Sequence, residues 1–144
     1  MNKSIVKVFL RTSLSLSFLS AVADRLGLWP RDISAWGNWK KFLDYTHTLT
    51  PYLPEFVISP LGYIVTILET FLSFSLLIGY KTEFNAKISG YLLLLFALAM
   101  TFTSSIKGAL DYSVLTASAA AFALSLIPSK FLEIDTFLKK KVID

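Results

Sequence analysis

Four stretches of this chain are apolar for the length that a lipid bilayer requires, at about residues 5–28, 60–79, 86–105 and 111–127. A bilayer core takes about 20 mostly apolar residues per helix. The third stretch is the cleanest, through Tyr91-Leu92-Leu93-Leu94-Leu95-Phe96, and the first is the most polar, with Arg11, Asp24 and Arg25. Pro60 suits the first turn of a helix, Gly79 a helix end, and Pro128 stops the fourth stretch. Hydrophobic residues make up 54% of the 144 and charged residues only 17%. Globular domains carry about 45–50% and about 25%. An ordinary soluble enzyme is excluded on that ground, and abundant Leu, Ile, Val and Phe exclude disorder. The expectation is an all-α fold in one domain, residues 1–144: a transmembrane antiparallel four-helix bundle.

Lys and Arg near the span ends set the orientation. Lys3, Lys7, Arg11, Lys81, Lys87, Lys130, Lys139, Lys140 and Lys141 fall on one side, against Arg25, Arg31, Lys40, Lys41 and Lys107 on the other. Nine against five puts both termini in the cytoplasm of a multi-pass protein of the cell (inner) membrane. The basic tail Lys139-Lys140-Lys141 then meets the anionic inner leaflet. A rival reading makes the first stretch a signal peptide, with Ala21-Val22-Ala23 as its cleavage site. Arg11 interrupts the apolar region and argues against it. The outer loop, residues 29–59, holds an amphipathic pattern of Trp36, Trp39, Leu43 and Thr46 opposite Lys40, Lys41 and Asp44, ended by Thr50-Pro51. An interfacial helix anchored by Trp36 and Trp39 is expected there.

Residues at i, i+4, i+7 and i+11 share a helix face. Gly62, Thr66, Glu69 and Ser73 make one such stripe, and Gly90, Leu94, Ala97, Thr101 and Ser104 another. Ser113, Ala117, Ala121 and Ser125 form a third, and Ser13, Ser17, Ser20 and Asp24 a fourth. Small and hydroxyl residues on one face let membrane helices approach closely. An ionised acid at mid-bilayer costs about 2.5–3.5 kcal/mol on insertion scales, so Glu69 needs a partner or a proton. Arg11 is the nearest base by depth, about 5–10 Å away at the helical rise. Arg25 lies on nearly the same face but at the outer end, with Asp24, Lys107 and Asp111 close in depth. Lys107 and Asp111 are four apart and pair if that turn is helical. The candidate buried polar cluster is therefore Glu69, Arg11, Thr66, Ser73, Arg25 and Asp24.

His47 is a lone surface histidine, and the chain has no cysteine. Thiolate, disulfide and nucleophilic cysteine chemistry are excluded, and no metal is expected. No GxGxxG, Walker, HExxH or GxSxG motif occurs, and the basic residues form no nucleic-acid surface.

The order of Arg11, Ala21-Val22-Ala23-Asp24-Arg25-Leu26-Gly27-Leu28-Trp29, Ala35-Trp36-Gly37-Asn38-Trp39 and Phe42-Leu43-Asp44-Tyr45-Thr46 is distinctive. So is its continuation in Glu69, Leu76-Leu77-Ile78-Gly79-Tyr80-Lys81-Thr82, Phe96-Ala97-Leu98-Ala99-Met100 and Asp111-Tyr112-Ser113-Val114. Across nearly the whole chain this resembles the DoxX family of small four-span bacterial membrane proteins. The resemblance implies an accessory or quinone-binding subunit of a membrane redox system, working in the lipid bilayer with a redox partner protein. It leaves room for a homo-oligomer. A scaffold for a partner protein and a small proton-coupled transporter remain as alternatives.

Overall fold

A computed structural model describes residues 2–136. The basic tail of Lys139, Lys140 and Lys141 lies outside the described residues. All regular structure among the described residues is helical: α1 (Lys3–Arg25), α2 (Trp39–Leu49), α3 (Glu55–Ile78), α4 (Thr82–Thr103), α5 (Ile106–Asp111) and α6 (Val114–Ser125). Helices α1, α3 and α4 are long and apolar enough to cross a membrane. At about 1.5 Å per residue each exceeds the roughly 30 Å of a bilayer core. Their outward residues, among them Phe9, Leu16, Ile64, Phe71, Tyr91 and Leu95, are large, apolar and exposed, as lipid contact requires.

Local sequence sets the ends. The Asn2 side chain accepts from the Ser4 N–H at 2.9 Å and caps α1. Gly79, at φ +72°, closes α3, with the Tyr80 N–H returning to the Ser75 carbonyl at 2.8 Å. Helix α3 begins at Glu55, five residues before Pro60, so Pro60 lies inside the helix rather than in its first turn. The Pro54 φ of −60° and the acidic Glu55 in the first turn start the helix earlier than the apolar run suggests.

The expected fourth span, residues 111–127, is not one continuous helix. The chain breaks at Tyr112 and Ser113, where Ser113 adopts φ +56° and ends any α-helical run. Twelve residues remain in α6, about 18 Å at the helical rise, which is short of a bilayer core. The expected helix through Trp36 also starts later. Gly37 at φ +69° turns the chain, Asn38 caps the helix through the Lys41 N–H, and Trp39 is its first residue.

Helix α1 packs on α3 and α4 on α6. The core joins Leu14 and Phe18 of α1, Leu72 and Leu76 of α3, Ala86 and Leu92 of α4, and Ala121 and Leu124 of α6. Gly90 lets α6 close on α4, since a Cβ there would lie 2.8 Å from the Phe122 ring. The Ser118 hydroxyl donates to the Gly90 carbonyl at 2.8 Å across the same contact. Helix α2 seats on α3 at Gly62, where a Cβ would meet Leu43 at 2.6 Å. On α1 the expected stripe of Ser13, Ser17, Ser20 and Asp24 is not the packed face, because Ser17 and Ser20 are exposed. The Ser17 hydroxyl bonds the Ser13 carbonyl of its own helix, which frees it from needing a partner helix. The packed face instead carries Lys7, Arg11, Leu14, Phe18, Val22 and Arg25.

Candidate functional site

The stripe of α3 turns Glu69 inward, 2% exposed, where it forms an ion pair with Arg25, itself 3% exposed. Arg25 Nη1 also donates to the Thr66 hydroxyl at 3.0 Å, one turn from Glu69 on the same face. Above the pair lie two rings, Trp36 from the loop that precedes α2 and Phe42 from α2 itself. The guanidinium carbon is 4.1 Å from the Phe42 ring centroid and 5.3 Å from that of Trp36. A buried cation gains attraction from ring faces at such distances. Arg25 Nε is buried with no hydrogen-bond partner among the described residues.

A crevice of about 450 Å³ opens beside this pair, lined by Arg25, Leu26, Gly37, Trp39, Tyr63 and Thr66 together with Gly27, Asn38 and Ile67. Leu26, Tyr63 and Ile67 are exposed apolar residues on outward helix faces, so the mouth is apolar and its inner end charged. The expected anchors Trp36 and Trp39 take part in this enclosure. Trp39 stacks on Tyr63 at 4.6 Å between centroids, and Trp36 contacts Phe42 edge-on at 5.4 Å. Tyr45 supports Trp36 at 5.7 Å, and burial, reinforced by Tyr112, holds its phenol protonated above the ordinary range.

The expected pairing of Arg11 with Glu69 does not form. Arg11 lies level with the last turn of α3, two turns from Glu69. Its Nε donates to the Leu76 carbonyl at 2.8 Å, Nη2 to Leu77 at 3.0 Å, and Nη1 to Leu132 at 2.9 Å. Leu76 and Leu77 lie in the last turn of α3, where a cation is favoured, and Leu132 belongs to the segment after α6. Ser73 also stands apart from the crevice, exchanging hydrogen bonds with Ser15 at 2.9 Å. Asp24 points the other way from Arg25 and accepts three loop N–H groups, from Ala35 and Trp36 at 3.0 Å and Gly37 at 3.1 Å. Lys107 and Asp111 pair within α5 as expected, exposed and away from the cluster.

The sequence reading missed a second polar centre at the far end of α1. Lys7 and Glu133 form an ion pair of 2.7 Å, both fully buried, and Lys7 also donates to the Ser129 carbonyl at 2.7 Å. Lys130 bonds Glu83 at 2.9 Å, and that bond holds its ammonium above the ordinary lysine range. The signal for Lys7 was its spacing of one turn from Arg11. Glu133, beyond every apolar stretch, carried none.

No family model, curated protein or solved structure matches this chain.

Proposed function

We propose that this chain is a DoxX-like protein of the bacterial inner membrane that binds a quinone or similar small molecule as an accessory subunit of a membrane redox system. In this reading α1, α3, α4 and the broken pair α5–α6 form an antiparallel four-span bundle. Both termini are cytoplasmic, and α2 lies at the outer interface. The order and spacing of the residues from Arg11 to Val114 support the family. The observation that carries the function is that Arg25, paired with the buried Glu69 behind it, lines an apolar-mouthed crevice. Buried intramembrane charges are costly and concentrate at functional sites. Apolar pockets with a few convergent polar groups are where small ligands bind.

The charge balance selects the ligand. Glu69 neutralises Arg25 from behind, so an anionic ligand gains little from the guanidinium. An uncharged headgroup with carbonyl acceptors takes hydrogen bonds from Arg25 and needs no net positive charge, while the Thr66 hydroxyl, donating to the Gly62 carbonyl, holds the guanidinium in place; an apolar tail suits the mouth. The test is to extract the protein with its native lipid and identify co-purifying small molecules by mass spectrometry. A lipophilic quinone retained by the native chain and lost from Arg25→Met supports the reading. Equal retention by both, or retention of lipid alone, refutes it.

A further inference from the structure

One wall of the crevice is not part of a membrane-spanning helix. Gly37, Asn38 and Trp39 supply it, the end of the loop that precedes α2 and the first residue of α2. Just before them, three successive N–H groups, those of Ala35, Trp36 and Gly37, converge on one carboxylate, Asp24. Asp24 adjoins Arg25 at the end of α1, and 6% of it is exposed. Oδ2 takes the Ala35 and Trp36 bonds and Oδ1 the Gly37 bond. Bonds from backbone N–H groups to a carboxylate are about twice as strong as neutral ones. The loop is held close as well as bonded, since a Cβ on Gly27 would lie 3.1 Å from the Gly37 carbonyl oxygen.

We propose that Asp24 is the positioning residue of the crevice: its carboxylate hangs the 35–37 segment so that Trp36 covers Arg25 and Gly37 to Trp39 form the outer wall. This rests on the proposed ligand site for its consequence, though not for its geometry. Adjacent residues of one helix end thus divide the work, Arg25 facing the ligand space and Asp24 fixing what closes over it. With the carboxylate gone, three N–H groups lose their acceptor and the wall swings out while the helices stay packed. Asparagine in its place keeps one oxygen, enough for the Ala35 and Trp36 bonds, and turns an amide toward the Gly37 N–H.

The chain has no cysteine, so nitroxide labels can be placed without background. Labels at Ala35→Cys and Ile64→Cys, both exposed positions, report the loop-to-α3 distance in lipid nanodiscs by pulsed electron resonance. The native chain gives one narrow distribution, Asp24→Ala a broader and longer one, and Asp24→Asn an intermediate one. If Asp24→Ala does not fold, faster amide exchange at Gly37 in Asp24→Asn reads the same release. Unchanged distances in the alanine variant, or unchanged exchange in the asparagine variant, overturn the proposal. Binding of a decyl-tailed benzoquinone probe then falls about tenfold in Asp24→Asn at an unchanged unfolding midpoint. Unaltered affinity with a displaced loop makes Asp24 structural only and also overturns the proposal. Because distance and exchange are read without ligand, a native chain that never binds the probe removes the functional reading and leaves the clamp standing.

Discussion

Glu69 in a bilayer interior needs a counter-charge, and the sequence offers two arginines on one face of α1, Arg11 and Arg25. Depth counted from the apolar boundaries favours Arg11, but those boundaries misplace the helix ends. Helix α3 starts at Glu55, well before the apolar run that begins at Pro60, and its last turn lies level with Arg11. Arg11 is drawn to the last-turn carbonyls of Leu76 and Leu77, leaving Glu69 to Arg25. That an inward acid on the Gly62, Thr66 and Ser73 stripe meets a polar cluster was legible, and the partner was not, because register between helices is a tertiary property. Glu69→Leu leaves Arg25 buried and uncompensated, at a cost of about 3–5 kcal/mol in unfolding free energy. The Arg25→Met, Glu69→Leu double variant recovers most of that, and a double variant as unstable as the single one would show that no such pair exists. At the other centre, Lys7→Met strands Glu133 in the same way. It is expected to raise amide exchange across Ser129–Thr136, whereas Lys3→Met, at an exposed position, leaves it unchanged.

Helices α1, α3 and α4 were readable as elements because three long apolar runs leave a chain little choice, and composition alone carries that signal. The break at Ser113 was not readable. Its left-handed φ belongs to no residue type that demands it, and the apolar run continues on both sides. The α3 stripe was readable, and so were the Gly90–Ala97 part of the α4 stripe and the Ala117–Ser125 part of the α6 stripe, while their end members Ser104 and Ser113 are exposed beyond the helices. On α1 the stripe misled, because serines that bond their own backbone tolerate exposure. The α4–α6 contact is the test of this packing. Ala121 is fully buried and Ala119 exposed. Ala121→Leu overpacks the contact and costs about 1–3 kcal/mol. Ala119→Leu, like Leu95→Phe on the exposed face of α4, leaves the unfolding midpoint within error. Equal losses at 121 and 119 would mean that the faces of α6 are assigned wrongly.

The molecule as a whole is a helical membrane protein that concentrates its buried charge at two levels, Arg25–Glu69 beneath α2 and Lys7–Glu133 at the opposite end of α1. The proposed topology separates them by most of the bilayer. Single cysteines at Lys41 and Lys87, both exposed, are therefore expected to react with impermeant maleimide from opposite sides of sealed vesicles, the first from outside. Reaction of both from one side contradicts the four-span arrangement. The most direct measurement of the central claim is saturable binding of the decyl-tailed benzoquinone probe to the protein in nanodiscs. The native chain is compared with the Arg25→Met, Glu69→Leu double variant, after both show the same helical content. Binding by the native chain and at least a tenfold loss in the double variant is the predicted result. Equal affinity in the two would contradict the assignment of Arg25, held by Glu69, to the lining of a ligand site.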